Sequence, residues 1–276
     1  MSPRWQCKGS SSLHNSAMTW RWSPCRTRSL SIGSAMAAQA AAFSDLAPTG
    51  RLRIAINFDN PVLATKGAAG EPSGVSVDLS RELARRLGLE LAFVPYYAAG
   101  KVVEGVAEGA WDVCYLAIDP RREALIEFTA PYVVIEGMYL VAEDSPIRRN
   151  EDVDRPGARV AVCAGSAYDL FLSRELKHAT ITRVPTSGEV AESFVAQKLE
   201  VAAGVRPQIE SDVRRFPGLR MLPERFMAIN QAMGVPRGRE AGASYVRAFI
   251  DEMLSSGFVD EALVRNGVTG ASVARR

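Results

Sequence analysis

Residues Gly109–Tyr132 read GAWDVCYLAIDPRREALIEFTAPY, and the prediction of the fold starts from this stretch. Within it, Val113–Ile118 is nearly all apolar, which is typical of a strand in a parallel sheet that is covered on both faces. A tight turn at Asp119–Pro120 and a short polar helical turn follow, and Glu127–Tyr132 is a second extended piece. The polar turn is therefore expected at the carboxyl edge of the sheet, where open α/β folds bind their ligands.

Two arginines, Arg121 and Arg122, occupy this turn. The planar guanidinium group of arginine can bind a carboxylate through two parallel hydrogen bonds. The alternative is that both side chains are solvated surface charges. The residue pattern alone leaves both interpretations open.

Strand and helix patterns alternate before this stretch. An apolar strand pattern at Leu52–Ile56 precedes an amphipathic helix pattern at Val75–Leu87, which Gly88 is well placed to end. Leu89–Tyr96 has the pattern of a second strand, and Val102–Ala107 has that of a short helix. This alternation predicts an α/β fold with a doubly wound sheet.

Composition and residue usage argue against several classes of function. The chain has 276 residues, 47% of them hydrophobic, and its net charge of +2 gives no reason to expect a nucleic-acid partner. No apolar run is long enough to span a membrane. Only two histidines occur, His14 and His178, and no pair of cysteines has metal-ligand spacing, so we expect no metal and no cofactor. Cys114 and Cys163 lie in apolar runs and are expected to be buried, inert thiols.

The opening stretch resembles the signature region of the family 3 solute-binding proteins, the periplasmic receptors of polar amino-acid transporters. The pattern of that family is roughly Gly-x-x-Asp, an apolar strand, Thr-x-Thr-Pro-x-Arg and then Asp-Phe-Ser-x-Pro-Tyr. The positions that match or nearly match are Gly109, Asp112, Pro120, Arg122, Glu127, Phe128, Thr129, Pro131 and Tyr132. The resemblance extends from about Leu52 to about Arg265, which is nearly all of the globular chain.

The resemblance implies a type II periplasmic-binding-protein-like fold, an α/β architecture of two doubly wound lobes joined by two extended crossings. The first lobe is expected over residues 46–140, with residues 235–276 returning to it, and the second lobe over residues 141–234. Residues 1–45 are basic and rich in serine and alanine, and they fit a disordered tail or a poor export signal with a diluted apolar core. A third interpretation is a translation start set too early, with Met36 as the real start.

The resemblance also implies a ligand site between the lobes. Arg122 is expected to bind the carboxylate of the ligand, together with the backbone N–H groups of a helix that begins near Ser166 and Ala167. The loop after the first strand would form one wall of the site through Phe58 and Asn60. No catalytic residue is assigned.

Two positions depart from the pattern of the family. Ala117 replaces a hydroxyl on the signature strand, and Val205 replaces the second-lobe aspartate that binds an α-ammonium group. A buried ammonium without an anionic partner costs several kcal/mol. Either the ligand has no α-ammonium, or another acid replaces the aspartate, with Glu136 as the first candidate and Asp59 as the second. The alternative for Glu136 is an edge-strand charge that faces water.

Three functional hypotheses follow. The first is a non-enzymatic, monomeric, periplasmic protein that captures a small carboxylate or amino acid for the permease of an ABC transporter. The second is an enzyme similar to the cyclohexadienyl (prephenate/arogenate) dehydratases, in which Glu136 would need a raised pKa to act as a general acid. The third is a ligand-sensing module, which would be cytoplasmic if the chain carries no export signal.

Overall fold

The computed structural model of the protein describes residues 32–67 and 70–275. The strands in this part of the chain are β1 (Leu52–Asn57), β2 (Thr65–Lys66), β3 (Pro72–Ser73), β4 (Leu91–Tyr96), β5 (Val113–Ala117), β6 (Ile126–Ala142), β7 (Arg159–Cys163), β8 (Thr180–Val184), β9 (Val201–Val205), β10 (Leu219–Met221), β11 (Met227–Pro236) and β12 (Ala271–Val273). The helices are α1 (Ile32–Leu46), α2 (Val75–Leu87), α3 (Ala99–Glu104), α4 (Pro120–Glu123), α5 (Ala167–Glu175), α6 (Glu189–Ala196), α7 (Arg206–Arg215), α8 (Glu240–Ser255) and α9 (Phe258–Arg265). None of these helices has both the length and the hydrophobicity needed to cross a membrane.

A mixed sheet forms the centre of the molecule, with the strand order β4-β1-β5-β11-β6-β9-β7-β8. At one end β1 is parallel to β4 and β5, and at the other end β7 is parallel to β8 and β9. Strands β11 and β6 lie between these parallel halves and run antiparallel to their neighbours. We call the half with β4, β1 and β5 the first lobe and the half with β9, β7 and β8 the second lobe. This arrangement confirms the predicted α/β class with two lobes and two extended crossings.

Strand β6 is the first of the two crossings. It pairs with β11 from Ile126 to Gly137, and then with β9 from Gly137 to Leu140. The extended piece predicted at Glu127–Tyr132 is the first part of this 17-residue strand. Pro131 lies where the pairing with β11 shifts its register, and proline is tolerated at such an irregularity because it has no N–H to donate.

Helix α1 corrects part of the expectation that residues 1–45 are disordered or form a tail. Its C-terminal part packs against α8, where Ala42 and Leu46 are buried and the backbone N–H of Gly242 donates a 3.0 Å hydrogen bond to the carboxylate of Asp45. Alanine is the strongest helix former, and most helical stability in proteins comes from packing, which the sequence alone did not reveal here. The expectations for residues 1–31 lie outside the described residues.

Helix α2 shows how the sequence determines local structure in the first lobe. Its apolar positions Val75, Leu79 and Leu83 recur at helical spacing and are all buried in the core. Gly88 ends the helix with a φ of 65°, a left-handed conformation in which any side chain would be strained. The predicted bounds of this helix are therefore confirmed.

The cysteines of the two lobes are free and buried, as predicted. Cys114 lies in β5 and Cys163 in β7. Burial raises the pKa of both thiols, to about 12 for Cys163. Both therefore stay protonated and unreactive near neutral pH.

Candidate functional site

A cavity of about 50 Å³ lies between the two lobes, beside the C-terminal ends of β1, β5 and β9. Of the predicted site residues, those that line it are Arg122, Ala117, Ser166, Ala167, Asn60 and Val205. The cavity is therefore built from both lobes, at the C-terminal edge of these strands.

The lining of the cavity is mostly neutral. Among the described residues that line it, Arg122 and Asp59 are the two with ionisable charged side chains. Within the described ranges, no group of three or more His, Cys, Asp or Glu side chains is placed to hold a metal ion. The electrostatics of the site therefore depend on one cation and one carboxyl group.

Arg122 is held inward by the turn that follows β5. Asp119 caps α4 by accepting a 2.9 Å hydrogen bond from the N–H of Arg121, and Pro120 begins the helix. Arg122 is 2% exposed, whereas Arg121 is exposed to solvent. The interpretation of both arginines as solvated charges is therefore wrong for Arg122.

The guanidinium group of Arg122 has only part of its hydrogen-bonding capacity in use. Nη1 donates to the carbonyl of Ala117 and Nη2 to the carbonyl of Gly165, both at 2.9 Å. Among the described residues, no acceptor is in position for Nε, which is buried. Burial lowers the pKa of this group to about 10, although the negative charge of Asp119 opposes the shift, so Arg122 is a cation at neutral pH.

The start of α5 forms the wall of the cavity in the second lobe. Ser166 caps this helix, and its Oγ accepts a 3.0 Å hydrogen bond from the N–H of Asp169. The cavity is lined by Ser166, Ala167 and Tyr168, which places the N-terminal end of the helix beside it. The dipole and free N–H groups of a helix start favour an anion at this place.

Asp59 connects the two lobes at the rim of the cavity. Its Oδ1 accepts a 2.8 Å hydrogen bond from the backbone N–H of Ser187, and its Oδ2 accepts a 2.7 Å bond from the Ser187 hydroxyl. The Cys163 thiol contacts the same oxygen at 3.7 Å. Burial raises the pKa of the Asp59 carboxyl group, and these hydrogen bonds only partly offset that effect.

Other contacts also join the lobes across the cavity. The Nη1 atom of Arg174 in the second lobe lies 2.9 Å from Oδ2 of Asp119, at ion-pair distance although its N–H is not aligned for a hydrogen bond. The backbones of Gly100 and Gly165 approach so closely that a Cβ atom on Gly165 would lie 3.1 Å from the Cα of Gly100. The two lobes are therefore in direct contact around the cavity.

Glu136 does not line the cavity. Its carboxylate lies 2.5 Å from Nε of Arg206 and 3.4 Å from Nη1 of Arg225, both in the second lobe. A half-buried carboxylate on a crossing strand needs a counter-charge, and here it has two arginines. The structure thus corrects the first candidate for the missing acid, and of the two candidates only Asp59 lines the cavity.

Phe58 does not line the cavity either. The chain turns at Phe58 and Asp59 after β1 ends, and this turn brings Asp59 and Asn60 to the cavity while it directs Phe58 elsewhere. Its ring lies 6.0 Å from that of Tyr97, with Lys66 Nζ 5.3 Å from the centre of the Phe58 ring.

Several polar residues that were not among the predicted site residues also line the cavity. They are Asn57, Tyr115, Tyr168, Ser187 and Gln231. Gln231 could have been found from the sequence, because it and Asn230 are the two polar residues of an otherwise apolar strand, and it is buried opposite Ala117. No local pattern marks Ser187, because its contact with Asp59 depends on how the second lobe packs against the first.

Comparisons with known proteins agree with this architecture. The family model described as bacterial extracellular solute-binding proteins, family 3, matches residues 52–266. Among solved structures, the chain is similar to the solute receptor for L-cysteine of Neisseria gonorrhoeae, with a TM-score of 0.72 and 19% identity over 84% of this chain and 99% of that one. At this level of identity the likeness shows the fold alone.

Two curated relatives are similar in sequence over part of their length. The cyclohexadienyl dehydratase of Pseudomonas aeruginosa is 25% identical over 59% of this chain and 62% of its own length. The amino-acid-binding protein AabA of Dichelobacter nodosus is 23% identical over 49% of this chain and 54% of its own length. The chain thus matches less than two thirds of each relative. Since the family model covers most of its 276 residues, the chain belongs to the bacterial extracellular solute-binding proteins of family 3.

Proposed function

We propose that this protein captures a small carboxylate, an amino acid or a related compound, between its two lobes and delivers it to an ABC importer. The observation that carries the proposal is the buried guanidinium of Arg122, which lines the cavity with its Nε unpartnered among the described residues. Burying an arginine costs free energy when no carboxylate forms hydrogen bonds with it. A carboxylate ligand would supply these charge-assisted hydrogen bonds. The start of α5, on the opposite lobe, favours the same anion.

Closure of the lobes is the second part of the proposal. We propose that residues 46–140 and 235–276 move as one lobe and residues 141–234 as the other, with β6 and β11 as the hinge. The contacts of Asp59 with Ser187 and of Arg122 with Gly165 form only when the lobes meet. A ligand that touches both lobes stabilises the closed state by its differential contacts.

We expect Gly100→Leu to weaken ligand binding roughly tenfold or more. A Cβ atom on Gly100 would lie 3.7 Å from the Cα of Gly165, which is ordinary contact, so Gly100→Ala is expected to bind normally. A leucine would extend into the second lobe, and overpacking costs about 1–3 kcal/mol, where 1.4 kcal/mol is tenfold in affinity. Isothermal titration calorimetry measures the loss of ligand affinity.

The matched control is Lys101→Leu, which adds the same side chain at the exposed neighbouring position. Small-angle scattering should show ligand-induced compaction in the parent and in this control, but not in Gly100→Leu. Normal affinity and compaction in Gly100→Leu would show that the lobes do not close at this point.

The size of the cavity supports a small ligand. A cavity needs roughly 10–15 Å³ to hold one buried water, so about 50 Å³ holds only a few water molecules. Pockets for drug-sized ligands are typically about 300–1,000 Å³. In this closed arrangement the ligand is therefore limited to a few atoms beyond its carboxylate.

A melting screen tests the proposed function. The twenty amino acids and a set of small mono- and dicarboxylates are added at millimolar concentration, and the melting temperature is followed by dye fluorescence. A ligand at a hundred times its Kd stabilises the native state by about 2.7 kcal/mol, which raises the Tm of a chain of this size by roughly 5–10 °C. We expect at least one carboxylate to give a saturable shift of this kind. No shift with any of them would overturn the proposal.

A second candidate function is a dehydratase, which the similarity to the Pseudomonas aeruginosa enzyme favours. Asp59 would be the acid available in the cavity, because burial raises its pKa, whereas Glu136 is held by Arg206 and Arg225. The small volume of the closed cavity speaks against a cyclohexadienyl substrate. Catalytic loss of prephenate absorbance, abolished by Asp59→Asn, would establish the enzyme instead of the receptor.

The expected partner and location complete the proposal. The family description as extracellular supports a periplasmic protein, and the closed lobes supply a surface that an ABC permease can distinguish from the open form. We propose a monomer, because one chain supplies both walls of the cavity.

A further inference from the structure

We propose that a second cavity, at the boundary of the two lobes, binds an organic monocation, an ammonium group attached to an aromatic or compact apolar body. This cavity has a volume of about 480 Å³, and none of the described residues lines both it and the cavity of Arg122. Pockets for small organic ligands typically measure about 300–1,000 Å³. The second site and its ligand are therefore separate from the proposed function.

Both lobes supply walls of the second cavity. The first lobe contributes residues at the end of β4 and around α3, and the second lobe contributes Pro185 and Thr186, which follow β8. The next residue, Ser187, lines the cavity of Arg122. A ligand in the second cavity would therefore touch both lobes, directly beside the first cavity.

Two tyrosines give the second cavity an aromatic wall. Tyr96 ends β4, Tyr97 follows it, and both line the cavity. The face of a tyrosine ring attracts a cation, and Lys66 Nζ already lies 4.8 Å from the centre of the Tyr97 ring. Among the described residues, no lysine or arginine lies over the ring of Tyr96. The chain thus supplies a cation to one ring and leaves the other without one.

Gly105 makes room for Tyr96 in this wall. Gly105 is buried where α3 ends, and a Cβ atom at its position would collide with the hydroxyl of Tyr96. In the described part of the chain, no group forms a hydrogen bond with this hydroxyl. The Tyr96 hydroxyl can therefore accept a hydrogen bond from a ligand ammonium.

The charges of the lining favour a cation. Among the described lining residues, the charged side chains are Lys101, Glu104 and Glu108. Lys101 and Glu104 pair at 2.7 Å and offset each other, whereas no described residue forms an ion pair with Glu108. Burial raises the pKa of Tyr96 and the charge of Glu108 adds to that shift, which shows that this carboxylate acts on the tyrosine. The aromatic wall thus lies within the field of an unpaired carboxylate.

This lining distinguishes between classes of ligand. An anion or an α-amino acid would bring a carboxylate toward Glu108, and the cation in the lining, Lys101, already has a partner. Within the described ranges, no group of three or more His, Cys, Asp or Glu side chains is placed to hold a metal ion. An organic cation uses both features, because its apolar body packs against the tyrosines and prolines while its ammonium group faces Glu108.

The test uses three probes with the same phenylethyl body and different head groups. They are 2-phenylethylamine, 2-phenylethanol and 3-phenylpropionate, which are cationic, neutral and anionic at neutral pH. Titrations of the full chain, followed through its assigned backbone amide chemical shifts, give the affinity and the place of binding together. We expect the amine to bind at least about fivefold more tightly than the alcohol, with shifts centred on Tyr96, Gly105 and Thr186. The anion should bind most weakly at these residues.

Two variants and a control test the roles of charge and of location. Glu108→Gln keeps the shape of an exposed side chain and removes its charge, so the preference for the amine should fall below about twofold. Glu90→Gln makes the same change at the other end of β4 and should keep the preference. Ala98→Leu fills part of the cavity without a change of charge, so it should weaken the amine and the alcohol alike.

Several results would overturn the proposal. They are equal binding of the amine and the alcohol, chemical shift changes centred elsewhere, and an unchanged preference in Glu108→Gln. Loss of the preference in Glu90→Gln would also overturn it, because the effect would then come from the overall charge of the protein. No shift at all with millimolar amine would do the same. Capture of a carboxylate at Arg122 does not depend on any of these outcomes.

Discussion

Arg122→Met is expected to lose at least about 100-fold in affinity for every carboxylate ligand. Removing one partner of a buried, hydrogen-bonded charge pair costs about 3–5 kcal/mol, and 1.4 kcal/mol is tenfold in Kd. Arg122 fits this case because the residue is 2% exposed and its Nε has no acceptor among the described residues. In Arg122→Met the carboxylate of the bound ligand would still lose its hydration, but no guanidinium group would compensate for that loss.

The neighbouring arginine gives a matched control. Arg121→Met removes the same charge one residue earlier, at an exposed position, and should change the affinity by less than about threefold. Arg122→Lys keeps the charge but loses the planar fork of donors, so its affinity should be intermediate. Titration calorimetry with the strongest binder of the melting screen measures all three variants. Equal affinity of Arg122→Met and the parent would show that the carboxylate binds elsewhere.

Asp112→Ala is expected to have the largest effect on stability, a loss of about 3 kcal/mol. Asp112 is fully buried and receives hydrogen bonds of 2.8 Å from Nη2 of Arg53 and Nη1 of Arg239. Breaking a buried pair costs about 3–5 kcal/mol, and we take the lower end because about a fifth of each arginine side chain is exposed.

The same change should loosen the N-terminal helix, because Arg239 also donates to the carbonyl of Asp45 at the end of α1. A loss of about 3 kcal/mol lowers the Tm of a chain of this size by roughly 6–12 °C, and urea unfolding gives the free energy directly. Glu90→Ala is the control, since its ion pair with Arg51 is exposed and should contribute little. Similar free energies of unfolding for Asp112→Ala and Glu90→Ala would contradict the conclusion that the buried ion pairs of Asp112 stabilise the fold.

Much of the fold follows from local sequence. Apolar runs and helical spacing predict the strands and helices of the first lobe, and the family signature predicts the two crossings. The position of Arg122 is also local, because Asp119 caps α4 and Pro120 begins it directly after β5. Chemistry within a few residues is thus enough to direct this side chain to the edge of the sheet.

The remaining features depend on contacts that are distant in sequence. Asp59 meets Ser187 across 128 positions, at a contact between the two lobes. Glu136 looked like an expensive, unpaired charge, but Arg206 lies 70 positions away and supplies its partner. The turn after β1 directs Asp59 and Asn60, and not Phe58, to the cavity, and the side-chain directions in an irregular turn cannot be read from composition.

The strand β12 was not predicted for a related reason. Its residues Ala271–Val273 have no strong pattern of their own, and their register against Ile135–Val133 of β6 is set by the strand already in place. Such edge additions depend on a partner that the local sequence does not describe.

The crystal structure of this protein with the carboxylate or amino acid that gives the largest melting shift tests the central claim most directly. We predict that the ligand lies between the closed lobes with its carboxylate on the Arg122 guanidinium, at roughly 2.7–2.9 Å from the nitrogen atoms, as is usual for charge-assisted pairs. A ligand carboxylate bound away from Arg122, or a ligand outside the cavity between the lobes, would contradict it.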